Sequence, residues 1–108
     1  MINIEFYKKQ NSIVKFVMNG HAGYSENDDI VCAAASSAMW MTVNGIENVA
    51  GIHCGYETGD GYVFFVLPGD LSKSEVQSAD LLLNSFFMYI NELESQYPDY
   101  IKVTQLEV

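Results

Sequence analysis

Ile2, Ile4 and Phe6 alternate with polar neighbours across INIEFYKK, a period of two that predicts a half-buried strand. QNS supplies a turn, and IVKFVMNG then predicts a second strand paired to the first as a hairpin. From Asp29 or Ile30 to about Val49 the spacing becomes helical, with Ala33, Ala34, Met41 and Ile46 among the apolar positions. Asp28 or Asp29 suits the N-cap of that helix, because a carboxylate accepts from the free amides of a first turn, and Gly51 suits its stop. IHCGYETGDGYVFFVLPGD predicts another hairpin: TGDG turns readily, YVFFVL is β-branched and aromatic, and Pro68-Gly69 ends the strand. Ser72 and Glu75 have capping-box spacing and open a helix to about Gln96, whose apolar positions include Val76, Ala79, Leu82, Leu83, Phe86, Ile90 and Leu93. YIKVTQLEV closes the chain as a strand.

The order β-β-α-β-β-α-β predicts an α+β fold, a two-layer α/β sandwich with two long helices packed on one sheet. Residues 1–108 are expected to form a single domain, since no linker, repeat or low-complexity tract interrupts them. Leu81, Phe87 and Met88 widen the apolar surface of the second helix beyond one stripe. Either the sheet and first helix cover them, or a second copy of the chain does.

Charge changes this picture mainly by exclusion. Five Lys and Arg stand against fourteen Asp and Glu, a net charge of −9. Such a surface repels phosphate backbones, so direct nucleic-acid binding is not expected, whereas basic partners are attracted. No apolar run is long enough to cross a bilayer, and MINIEFYKKQNS lacks the pattern of a secretory signal. A cytoplasmic protein with two reduced cysteines, Cys32 and Cys54, is therefore expected.

The chemistry concentrates in NGHAGYSENDDIVCAAASSAMW. With Asp29 as N-cap, Cys32 falls at the third helical position, where unpaired amides and the positive end of the helix dipole favour a thiolate. The loop from Ala22 to Asp28 is short enough to bring His21 back over that helix end, and an imidazolium there would lower the thiol pKa further. Ser36 follows Cys32 by one turn on the same face. Asp29 has two possible roles, capping the helix or orienting His21. Gly20 and Gly23 flank His21 and Ala22 with backbone that can bend and approach a ligand. Tyr24 begins YSEND, a segment with the composition of a loop that closes over substrate. A cysteine in an alanine-rich helix also suits a small buried core position, and Ser36 suits simple helix packing.

Gly20-His21-Ala22, followed by Asp29-Ile30-Val31-Cys32-Ala33-Ala34 with Ser36 one turn on, resembles the signature of the bacterial ribosomal-processing cysteine proteases, the Prp family. The resemblance extends over essentially the whole chain. It implies a cysteine endopeptidase that removes a short N-terminal extension from a large-subunit ribosomal protein. It also implies Cys32 as nucleophile, His21 as general base and acid, and Asp29 and Ser36 as supporting residues. A homodimer follows from the same likeness, while Gly20, Ala22, Gly23 and Tyr24 belong to the substrate-binding or flexible loop read from the residues above. Asn27-Asp28 stands where the family commonly has a glycine before Asp-Ile-Val-Cys.

Two other classes are open to the residues themselves. A zinc site would draw on His21, Cys32, His53 and Cys54, but their spacing fits no usual ligand pairing, and neighbours on a strand point to opposite faces. No metal or other cofactor is expected, Cys54 suits the core and His53 a sheet face or edge. A non-catalytic ribosome-assembly or peptide-binding module would bind the extension with an inert Cys32.

Overall fold

The computed structural model describes residues Met1–Val108. Strands β1 (Ile2–Lys9) and β2 (Ser12–Asn19) form an antiparallel hairpin. Its two-residue loop, Gln10-Asn11, takes φ of 51° and 72°. Two left-handed residues in succession give a turn whose twist matches the strands. Tyr7 pairs with Lys15 but Lys8 pairs with Ile13, so Val14 is an extra residue on β2. Ile13 and Phe16, three apart, would ordinarily face opposite ways. The bulge resets the alternation and both are fully buried.

Helix α1 (Ile30–Asn44) is capped by Asp29 and continues into a π-helical turn, Gly45–Val49. Gly45 lies where the helices cross, and a Cβ there would press on the Leu82 side chain at 3.3 Å. Gly51, at φ 71°, ends the element, with Ile52 N–H returning to the Ile46 carbonyl at 2.9 Å. The second hairpin consists of β3 (Gly55–Gly59) and β4 (Tyr62–Val66). It begins later than the apolar pattern suggests, for a definite reason. The amide of Ile52 closes the helix end and that of Cys54 donates to Glu47 Oε1 at 2.9 Å, so neither is available to the sheet.

Helix α2 (Lys73–Gln96) opens on the expected capping box. Ser72 Oγ accepts from Glu75 N–H at 3.2 Å, and Glu75 Oε1 accepts from Ser72 N–H at 2.9 Å. Strand β5 (Ile101–Glu107) then pairs parallel to β1. The sheet order is β3-β4-β2-β1-β5, with both helices packed on it, so the observed α+β sandwich has the expected element order.

Aromatic rings fill the space between the layers. Phe16 stacks on Phe65 with centroids 4.9 Å apart and meets Phe86 edge-on at 5.1 Å. Phe6 meets Phe86 and Phe87 at 5.5 and 4.9 Å. The Phe87 of α2 is thus covered by β1, whereas Leu81 and Met88 face outward. No helix is long and apolar enough to cross a membrane.

Phe86 ties α2 to both central strands, so Phe86→Ala is expected to cost roughly 3–5 kcal/mol. Equilibrium denaturation of the purified chain checks this, and a loss below about 1 kcal/mol would contradict the packing.

Candidate active site

The end of β2 and the start of α1 are joined by one loop, and the candidate residues sit at its two ends. Gly20 leaves β2 at φ 98°, where any Cβ would collide with the Met1 carbonyl, so only glycine lets the chain turn here. The N-terminal amine donates to the His21 carbonyl at 2.6 Å and fixes the backbone on the far side of that turn. Ala22 is buried, and its N–H donates to Cys32 Sγ at 3.2 Å. The loop therefore does fold back onto the helix start. The residue after His21 touches the sulfur directly.

Asp29 resolves its two possible roles by geometry. Oδ1 accepts from Cys32 N–H at 2.9 Å and Oδ2 from Tyr24 N–H at 3.1 Å. This carboxylate caps α1 and clamps the loop, and the carboxylate within 4 Å of a His21 ring nitrogen is that of Asp60 instead. Burial works against its charge, but hydrogen bonds from the backbone of Cys32 and Tyr24 outweigh it and hold the carboxyl below its usual range. A carboxyl lowered in this way adds stability above about pH 4, which is lost as the pH falls through its folded value. The loop that looked free in sequence is also pinned at Tyr24, whose ring packs edge-on against Tyr97 and Tyr100 at 5.7 and 5.2 Å.

His21, Cys32 and Ser36 line one cleft of about 350 Å³ between α1 and the β3-β4 hairpin. Gly20, Met18, Met39, Trp40 and Tyr62 are among its other walls, so it offers apolar surface beside the thiol. A second hollow, of about 370 Å³, opens on the loop side and shares His21 and Cys32 with Gly23, Ser25, Glu26 and Asp29. The sulfur thus stands between an apolar and an acidic recess, a suitable arrangement for a peptide crossing the helix end. A larger cleft of about 440 Å³ at the other end of β2 and β4, lined by Lys9, Val14, Leu67 and Asp80 among others, contains neither cysteine nor histidine.

The protonation of Cys32 departs from expectation. Burial pushes its thiol up, the Ala22 amide works in the opposite direction, and the neighbouring Asp29 carboxylate adds to the rise. The helix start favours an anion, but the residue that caps this start is itself an anion and has already occupied the field. The Cys32 amide is likewise committed to Asp29, so it is not a free donor for a tetrahedral oxyanion. A nucleophile raised in this way would need a base.

The zinc candidates are not gathered into one cluster. His53 projects into solvent, with Nδ1 3.7 Å from Glu47, and Cys54 is buried. Burial and then Glu47 push the Cys54 thiol up to about 11. Sequence reasoning missed Asp60, whose Oδ1 lies 3.4 Å from His21 Nε2. It is simply a turn residue in TGDG, and only the pairing of β4 with β2 brings it to the histidine.

A Cys-His cleft at a helix start on this fold is the equipment of a thiol peptidase, and comparison with known proteins agrees. The sequence profile of the family Cysteine protease Prp matches residues 1–102. The ribosomal processing cysteine protease Prp of Bacillus subtilis strain 168 is 32% identical over 95 residues, covering 85% of each chain. The protein of the same name from Staphylococcus aureus strain Mu50 is 27% identical over 97 residues, covering 87% of this chain and 88% of that one. A crystal structure of Prp from S. aureus with a covalently linked product peptide superposes with a TM-score of 0.87 at 23% identity, covering 97% of this chain and 99% of that one. The same protease with a substrate peptide gives 0.82 at 22% identity over the same shares. The chain belongs to the Prp family of cysteine proteases.

Alkylation of Cys32 in the free protein should therefore rise with pH to an inflexion above about 8.5, the ordinary cysteine value. Asp29→Asn keeps a capping oxygen and removes the charge, so it should move that inflexion down and speed the reaction at neutral pH. Cys54 should stay unlabelled throughout. Peptide-resolved mass spectrometry after timed exposure to iodoacetamide checks this, and a Cys32 rate flat from pH 6 to 8 would contradict it.

Proposed function

We propose that this protease removes a short N-terminal extension from a large-subunit ribosomal protein, with Cys32 as nucleophile and His21 as general base and acid. The observation that carries the reading is the shared cleft of Cys32, His21 and Ser36 at the start of α1, with the Ala22 amide on the sulfur. The names of the relatives support the substrate class, and the peptides seen with the S. aureus enzyme support peptide binding on this fold. A chain of net charge −9 attracts a basic substrate, and Glu26 and Asp29 border the recess beside the thiol.

The mechanism follows from the raised thiol. Substrate enters across the helix end, and His21 takes the Cys32 proton as the sulfur attacks the scissile carbonyl carbon. The tetrahedral intermediate collapses, the carbon–nitrogen bond breaks, and the imidazolium returns the proton to the departing amine. Water, activated by the same imidazole, then cleaves the thioester. Ser36, one turn along α1, supplies a hydroxyl within the cleft, and Tyr24 with Gly23 shapes the loop that borders the peptide. Asp29 supports the reaction by holding the loop and helix start together.

Cys32→Ser is expected to lower processing of the host's own extended ribosomal protein by at least about 10³-fold, with His21→Ala of similar effect. The mass of the ribosomal protein after incubation checks both, and complete processing by Cys32→Ser would overturn the assignment.

The homodimer of the same reading draws on the outer face of the helix layer. Met41, Leu81 and Met88 are 70%, 74% and 67% exposed there, an unusual share of large apolar side chains for a free surface. Leu81→Glu combined with Met88→Glu should shift sedimentation from a dimer to a monomer. An unchanged dimer, or a monomeric wild type at micromolar concentration, would contradict pairing through this face.

A further inference from the structure

The register of two strands decides what stands next to His21. Asn19 of β2 pairs with Tyr62 of β4, and the ladder runs one rung past the sheet, with Gly20 N–H donating to the Gly61 carbonyl at 2.8 Å. That rung sets the turn Asp60-Gly61 alongside Gly20-His21. A Cβ on Gly61 would lie 2.8 Å from His21 Nε2, so the imidazole rests against bare backbone that only glycine provides at φ 63°. Asp60 Oδ1 lies 3.4 Å from the same nitrogen, and Asp60 is the only carboxylate within 4 Å of the ring nitrogens.

The other charged groups around this histidine are otherwise engaged. The N-terminal amine binds the His21 carbonyl, not the ring. Asp29 spends both oxygens on amides. Glu26 borders the recess on the loop side, and Cys32 of α1 lines the same hollow.

We propose that Asp60 is a positioning residue for His21: its carboxylate accepts a hydrogen bond from Nε2–H, sets the ring against the Gly61 backbone and leaves Nδ1 as the nitrogen that takes the Cys32 proton. A neutral imidazole has one donor and one acceptor, so an acceptor at Nε2 commits the lone pair to Nδ1. During attack the thiol proton moves to Nδ1 as the sulfur's electron pair forms the bond to carbon. The imidazolium keeps its Nε2 proton on nitrogen, directed at Asp60, and gives the Nδ1 proton to the departing amine. Asp60 never receives a proton. This rests on His21 being the base in the reading above.

Asp60 is almost fully solvent-exposed, so its influence is moderated by water and should be about 3–10-fold. The exposed turn residue does not take a left-handed φ, so its replacement leaves the hairpin intact. The test uses the full chain and a quenched fluorescent peptide spanning the processing junction of the host's ribosomal protein. Asp60→Ala should lower kcat about 3–10-fold with KM within about twofold, and Asp60→Asn, whose oxygen still accepts from Nε2, should recover at least half of the wild-type kcat. In the absence of peptide, Cys32 alkylation by iodoacetamide at neutral pH should fall in the order wild type, Asp60→Asn, Asp60→Ala, with His21→Ala as the floor. A wild-type kcat for Asp60→Ala, or an Asp60→Asn as slow as Asp60→Ala, would overturn the positioning role while the protease reading stands. If the wild type fails to cleave the peptide, the substrate reading fails, and the alkylation order still decides the role of Asp60: the stated order supports it and equal rates overturn it.

Discussion

One carboxylate holds the start of α1 and the loop before it in a single piece. Asp29 accepts from Cys32 N–H with one oxygen and from Tyr24 N–H with the other, so the sulfur's backbone and the loop's midpoint share an anchor. From this clamp the Ala22 amide reaches the sulfur and His21 arrives at the cleft. The same charge has a chemical consequence. An anion that caps a helix competes with any thiolate formed in its first turn, and burial adds to that opposition. The thiol is thus firmly placed, with its pKa pushed upward, and in the proposed reaction the imidazole removes its proton when substrate is present.

The rest of the fold serves that placement. The β1-β2 hairpin, with its left-handed turn and the bulge at Val14, lets Phe16 and Ile13 enter one core while β2 ends in register with β4. Phe86 of α2 binds that core to Phe6 and Phe16. At its far end α1 crosses α2 closely at Gly45, against the Leu82 side chain, while at its start Cys32 lines the cleft instead of joining the core. Tyr24 extends the connection to the end of α2 and the start of β5 through Tyr97 and Tyr100. Through these contacts, the loop beside the thiol is tied to elements from the far end of the chain.

Much of this was legible before any coordinates. Alternation in INIEFYKK, the Ser72–Glu75 capping box and the Asp29 cap are local signals, and each predicts what the structure shows. The position of Cys32 in the first turn, and the return of the loop over it, also follow from short spacings along the chain. What escaped depends on partners distant in sequence. Asp60 is a turn residue until the Asn19–Tyr62 pairing places it beside His21. Cys54 and His53 read as strand residues because their pattern cannot reveal that Glu47 and Ile46 take the neighbouring backbone amides. The sign of the Cys32 shift was missed for a similar reason: spacing locates the helix field, but only geometry shows that burial and the Asp29 carboxylate, with Oδ1 on the Cys32 amide, oppose a second anion there.

The central claim is that Cys32 itself becomes acylated during turnover. Intact mass measurement of the enzyme, quenched in acid within milliseconds of mixing with excess extended ribosomal protein, tests it most directly. The expected result is a transient mass increase equal to the N-terminal fragment less one water, localised by digestion to the peptide that contains Cys32 and labile to hydroxylamine as a thioester. Product formed at the full rate with no adduct on that peptide at any time, or with the adduct on another residue, would contradict it.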